Sequence, residues 1–181
     1  MDPFGVLGIE RQYALDLKDI EKRHRDLSRT LHPDKYAGSG AHERNSALSN
    51  AVLVNEAWRI LRDPVKRGEA LFRLAGIVVG DAEPKAAQAL LMDMMELRET
   101  LEAAKEKKDA SRVRALGEDI ESRAKAAEAA LGIAFREAAG DKAILETHVA
   151  KLGELRFYRR FLEEVESIED RFLEGDPTEA H

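Results

Sequence analysis

Residues 16–34 read DLKDIEKRHRDLSRTLHPD, and the fold turns on this stretch. Leu17, Ile20, His24, Leu27 and Leu31 recur at spacings of three and four, the signature of a helix with one buried face. Asp16 stands where an N-cap belongs, with a carboxylate able to accept the first unpaired amides. On the opposite side, at about 100° per residue, Lys18, Lys22, Arg25 and Arg29 form one basic stripe. Pro33 has no amide hydrogen and drives His32 out of the α region, so the helix is predicted to end near Leu31 or His32.

The loop continues through Lys35 to Gly40, where Gly-Ser-Gly loosens the backbone. Beyond it Ala47, Ala51, Val54, Trp58 and Leu61 repeat the helical spacing until Asp63-Pro64 closes the segment. Two helices joined in this way predict an antiparallel hairpin with apolar stripes facing each other. His24 and Trp58 fall on those stripes and are predicted to be core, while His32 and Asp34 are predicted at the exposed tip. Taken singly, these features also fit an ordinary helical hairpin whose basic stripe is a solvated face.

Taken together with their flanks they resemble the J-domain family. The matching residues are Asp2, Phe4, Leu7 and Gly8, the basic segment from Lys22 to Arg29, His32-Pro33-Asp34, and Asn55, Ala57, Trp58, Leu61, Asp63, Pro64 and Arg67. The resemblance implies stimulation of ATP hydrolysis by a DnaK-type chaperone. His32, Pro33 and Asp34 would carry the stimulation, and Lys22, Arg25 and Arg29 would dock on an acidic surface of the ATPase. Such complementarity speeds and orients encounter and weakens with salt.

With 181 residues, 35% charged and 44% hydrophobic, the chain can form one or two small domains. No apolar run approaches the roughly 20 residues that span a bilayer, and no charged, apolar, small-residue leader precedes Asp2, so a soluble, cytoplasmic protein without membrane contact is expected. There is no cysteine, which excludes disulfides and thiolate metal sites, including the zinc module of some J-proteins. Residues 1–76 hold 13 Lys and Arg against 11 Asp and Glu, a net +2, which leaves −8 for the remainder. The overall charge of −6 argues against a nucleic acid partner.

All five prolines fall at candidate element boundaries, as a helical protein requires. Ile77-Val78-Val79 is the one β-like run and, between Gly76 and Gly80, is predicted to be a connector whose side chains pack. The expected architecture is all-α: an N-terminal J-domain hairpin at 1–76, a linker at 77–84, a three-helix antiparallel bundle at 85–173 and a flexible tail at 174–181. Breaks are expected near Asp109 and at Gly140-Asp141, where Asp can cap the next helix. The middle bundle helix carries a seam of Val113, Leu116, Ile120, Ala124, Ala127 and Leu131.

The first bundle helix buries Ala87, Leu90, Met94, Leu97 and Leu101, yet Leu91, Met92 and Met95 lie about 100° to 200° away beside Glu96 and Glu99. Methionine suits adaptable partner contacts. Periodicity leaves open whether this face meets a partner, lies under the N-terminal domain or forms a dimer. Of the apolar positions in the last helix, Phe157 is the one that could join it.

The run from Leu91 to Glu102, LMDMMELRETLE, is similar to the signature of the HscB family, J-domain co-chaperones of iron-sulfur cluster assembly. Leu155-Arg156-Phe157 and the ending Ala70-Leu71-Phe72-Arg73-Leu74-Ala75-Gly76 resemble the same family. The resemblance implies that Leu91, Met92, Met95, Glu96, Glu99 and Phe157 bind an IscU-type cluster scaffold, with an HscA-type ATPase as the chaperone. Met95 stands where leucine is common, a volume-conserving change. The five histidines show no His-Glu-x-x-His spacing, and the chain has no glycine-rich phosphate loop, so neither an enzyme nor a resident cofactor or metal is expected. Two alternatives stand beside this reading: a J-domain protein with a different client, and a non-catalytic helical interaction module.

Overall fold

The computed structural model describes residues 1–79 and 88–174. Within them the chain is all-α, without strands: α1 (Pro3–Leu7), α2 (Leu17–Thr30), a 3-10 turn (Pro33–Tyr36), α3 (Ala41–Leu61), α4 (Pro64–Leu74), α5 (Gln88–Glu106), α6 (Ala110–Ala138), α7 (Lys142–Thr147) and α8 (Val149–Glu174). No helix among the described residues is long and apolar enough to cross a membrane. Among the described residues two compact units arise, one of 1–79 with 132–146 and one of 88–131 with 147–174. The expected linker beyond Val79, Ala87 of the first bundle stripe, and the tail beyond Glu174 lie outside the described residues.

In the first unit the Asp2 side chain caps α1, accepting from the amides of Phe4 at 3.1 Å and Gly5 at 3.2 Å. Gly8 ends the helix at φ 63°, a left-handed conformation that glycine adopts without a Cβ clash. Arg11 grips the same carboxylate through Nε at 3.1 Å and Nη2 at 2.7 Å. Burial pushes the Asp2 carboxyl up, but the hydrogen bonds from Arg11 and the two amides outweigh it and hold the group below its usual 3.8. A carboxyl depressed by folding stabilises above its unfolded value and loses that contribution as pH falls through the folded value. Asp2→Asn is therefore expected to flatten the acid side of the stability curve. Denaturant titrations from about pH 6 to about pH 2 should show parent and variant converging at the acid end; parallel curves would contradict the assignment.

The Asp16 carboxylate caps α2 as expected, accepting from the Lys18 and Asp19 amides, and the helix closes with Leu31 as C-cap. Across the hairpin Ile20 is buried with Phe4, Leu7, Ala47, Val54, Ala57 and Leu61. His24 and Trp58 depart from the core expectation, since both are half-buried. Their rings stack at 5.4 Å, and His24 Nε2 lies 2.9 Å from Asn55 Oδ1, so they tie α2 to α3 at the rim.

Asp63 caps α4 through the amides of Val65 at 3.0 Å and Lys66 at 3.1 Å, with Pro64 in the first turn where its missing amide costs nothing. Arg67 is buried and donates from Nη1 to the Leu61 carbonyl at 2.8 Å, satisfying the frayed end of α3. Its guanidinium lies 4.8 Å from the Tyr13 ring centroid, and its Nε finds no acceptor. Arg67→Ala, which removes a charge-assisted bond and a desolvated cation–π contact, should cost about 2 kcal/mol, or roughly 6 °C in Tm. A thermal melt unchanged from the parent would assign Arg67 no role in stability.

Residues 132–146, expected in the C-terminal bundle, group with the first unit because Phe135 packs on Tyr13 at 5.7 Å and on Phe72 at 4.7 Å. Leu145 is buried as well. Of the supposed packing triplet, Ile77 is buried and its amide donates to the Phe72 carbonyl at 2.9 Å, whereas Val78 points into solvent.

In the second unit Asp93 of α5 pairs with Arg123 of α6, each about fifteen residues from the turn at Lys108, as in an antiparallel hairpin. Asp109 caps α6 through the Arg112 amide at 2.9 Å. Arg114 of α6 meets Glu169 of α8 at 3.7 Å, and Gly117 lies against Val165, where a Cβ would approach Cγ1 to 3.0 Å. The latter is the close helix approach that small residues permit. Val113, Leu116, Ile120, Ala124, Ala127 and Leu131 are buried as the seam predicts, opposite Leu152, Leu155, Phe161, Val165 and Ile168 of α8. The predicted last helix is two: Asp141 caps α7 through the amides of Ala143 and Ile144, and the chain turns at His148 before α8.

Candidate functional site

In the first unit the 3-10 turn at the end of the α2–α3 hairpin presents His32, Pro33 and Asp34. His32 is extended at φ −62°, ψ 132°, as a residue before proline should be, and Pro33 opens the turn. The Lys35 amide donates to the His32 carbonyl at 3.0 Å. His32 Nδ1 lies 3.4 Å from both the Asp34 amide and Asp34 Oδ2. One ring nitrogen either accepts from the amide or donates to the carboxylate, so the tautomer selects between two loose contacts. Among the described residues the two side chains contact only each other, while the Ala37 amide donates to the Asp34 carbonyl at 3.4 Å, and the Asp34 side chain is 88% exposed.

Lys22, Arg25 and Arg29 are all exposed on α2, with Arg29 three residues before His32. Arg29 reaches Asp26 only at 4.0 Å, while Lys22 and Arg25 have no ion-pair partner among the described residues. The structure thus places the basic stripe and the tripeptide in one unit, the stripe leading to the turn. These are solvated cations, able to steer an acidic surface at little desolvation cost.

On α5 the second unit carries a different surface. Leu91, Met92 and Met95 are 46%, 58% and 64% exposed, whereas Met94, on the buried side of the helix, is 2% exposed. Glu96 and Glu99 are exposed on the same side. Leu91, Met92, Met95, Glu96 and Glu99 span an arc of about 140°. Phe157 of α8 is half-buried, and Arg98 links it to this face by placing its guanidinium 5.3 Å from the ring centroid. Arg98 was not among the sequence-derived candidates. At about 20° from Leu91 around the helix it borders their arc, and the helical wheel offered that signal.

Residues 2–69 match the DnaJ domain family, and residues 86–166 match the family described as the HSCB C-terminal oligomerisation domain. A solved structure of chaperone HscB from Vibrio cholerae has a TM-score of 0.82 and 27% identity, covering 95% of this chain and 99% of that one. The chain belongs to the HscB family. The crystal structure of human co-chaperone protein HscB shares the fold, with a TM-score of 0.81 at 22% identity, over 93% of this chain and 82% of that one. As an HscB-type co-chaperone the chain bears a J-domain, and a J-domain implies a DnaK-type chaperone as partner.

Proposed function

We propose that this HscB-family chain stimulates ATP hydrolysis by a DnaK/HscA-type chaperone and delivers to it an IscU-type iron-sulfur scaffold, promoting cluster maturation and transfer. Supporting this reading is one observation: a single chain offers an exposed His32-Pro33-Asp34 turn beside exposed cations, and an exposed apolar and acidic face on another unit. His32, Pro33 and Asp34 act on the ATPase, and Lys22, Arg25 and Arg29 dock it. Leu91, Met92, Met95, Glu96, Glu99 and Phe157 hold the scaffold. Tethering the scaffold to a chaperone-bound adaptor raises its effective concentration at the substrate site without a new contact there. The adaptor itself needs no catalytic group or cofactor.

The deciding experiment is the steady-state ATPase rate of the organism's DnaK-type chaperones with this protein, with and without the scaffold. Synergy between protein and scaffold is the expected result. Stimulation indifferent to the scaffold would leave a J-domain protein with another client, and no stimulation of any chaperone would reject the reading. Charge reversal at Lys22 and Arg25 is expected to slow association with the chaperone about tenfold at low salt, the difference shrinking as salt rises. Association rates by surface plasmon resonance at several ionic strengths test this; equal, salt-independent rates would dismiss steering.

A further inference from the structure

The chain has no cysteine and four methionines, three of them at 92, 94 and 95. Thioether sulfur is therefore its most readily oxidised side-chain atom. The helix sorts this cluster into two environments. Met94 is core at 2% exposure, while Met92 and Met95 are exposed on the face with Leu91, Glu96 and Glu99. Met1, the remaining methionine, is exposed on the other unit.

We propose that Met92 and Met95 are a modification site, at which peroxide oxidation to methionine sulfoxide releases the docked scaffold; the inference rests on the scaffold reading of α5. In each event a sulfur lone pair attacks one oxygen of hydrogen peroxide. An S–O bond forms, the O–O bond breaks, and the second oxygen leaves as water with the proton given up by the oxygen now on sulfur. Sulfur loses two electrons and peroxide gains them. The product replaces an apolar, flexible contact by a polar, chiral sulfoxide. Glu96 and Glu99 beside it offer only acceptors, so an interface formed over the sulfoxide oxygen buries an acceptor with no donor from either. Methionine sulfoxide reductases reverse the chemistry, which makes the site a switch rather than a lesion.

The test treats the full chain with hydrogen peroxide, maps sulfoxides by peptide mass spectrometry and measures the affinity for purified IscU-type scaffold by calorimetry. Oxidation is expected at Met92 and Met95 ahead of Met94, with affinity falling about tenfold or more. Scaffold-independent ATPase stimulation and far-ultraviolet circular dichroism should stay constant, and sulfoxide reductases should restore the affinity. The Met92→Leu/Met95→Leu double variant, compared only with itself before and after peroxide, should show no fall, whereas Met94→Leu should keep the parent's. Unchanged affinity despite sulfoxide at both positions overturns the proposal. So does an equal fall in the double variant, or a loss of helix that tracks the loss of affinity. Absence of scaffold binding before any peroxide is added is a separate result, which removes the docking reading and the switch with it.

Discussion

Replacing His32 by Gln is expected to return the partner chaperone's ATPase rate to its unstimulated value while leaving the fold as it is. The two halves of this expectation have different grounds. His32 contributes little to stability: its side chain is largely exposed, and its side-chain contacts are two 3.4 Å approaches to Asp34. Losing them should lie within about 0.5 kcal/mol, or roughly 2 °C in Tm. A ring held so loosely is free to be used by a partner, and Gln keeps polarity but not the planar ring or its two nitrogens. Circular dichroism and a thermal melt establish the unchanged fold, and a coupled ATPase assay reads the function. Stimulation at the parent's level would remove the tripeptide from the mechanism.

The Met92→Ala/Phe157→Ala double variant should lower scaffold affinity about 100-fold, the effect of truncating two anchors of an interface. Met92 is 58% exposed, so its truncation leaves no internal cavity. Phe157 also supports the Arg98 guanidinium, and its loss removes the ring that holds that cation beside the face. The second effect makes the double variant worse than a simple loss of area. Stimulation measured without scaffold should equal the parent's, since both substitutions lie outside the unit that carries His32. The synergy with scaffold should vanish. Parent-like calorimetry would move the interface off α5.

Helix ends were legible because their causes are local. Asp16, Asp109 and Asp141 cap where a short carboxylate precedes an apolar period, and Pro33 and Pro64 set the backbone of the residue before them. The break at His148 was not legible, since neither proline nor glycine marks it. Leu145 is buried in one unit and Leu152 in the other, so the chain turns where it changes core, a tertiary demand that overrides local propensity. Phe135 was hidden for the same reason: periodicity says that a face is buried, not against what. His24 and Trp58 were misplaced by degree, because a stripe position at the rim has the same spacing as one at the centre. Of the candidate site, the turn, the stripe and the α5 face could be read directly, while Arg98 over Phe157 required the packing of α5 near α8.

The return of residues 132–146 to the N-terminal unit bears on how such a protein is cut, fused and inherited. A cassette is a stretch that can be excised and carried into another chain with its core intact. Residues 1–79 do not qualify here, because excision uncovers the faces of Tyr13 and Phe72 that Phe135 occupies. A chimera that borrows only the first 79 residues carries a sticky aromatic scar. Recombination that trades residues 1–79 alone separates them from the 132–146 segment that completes their core.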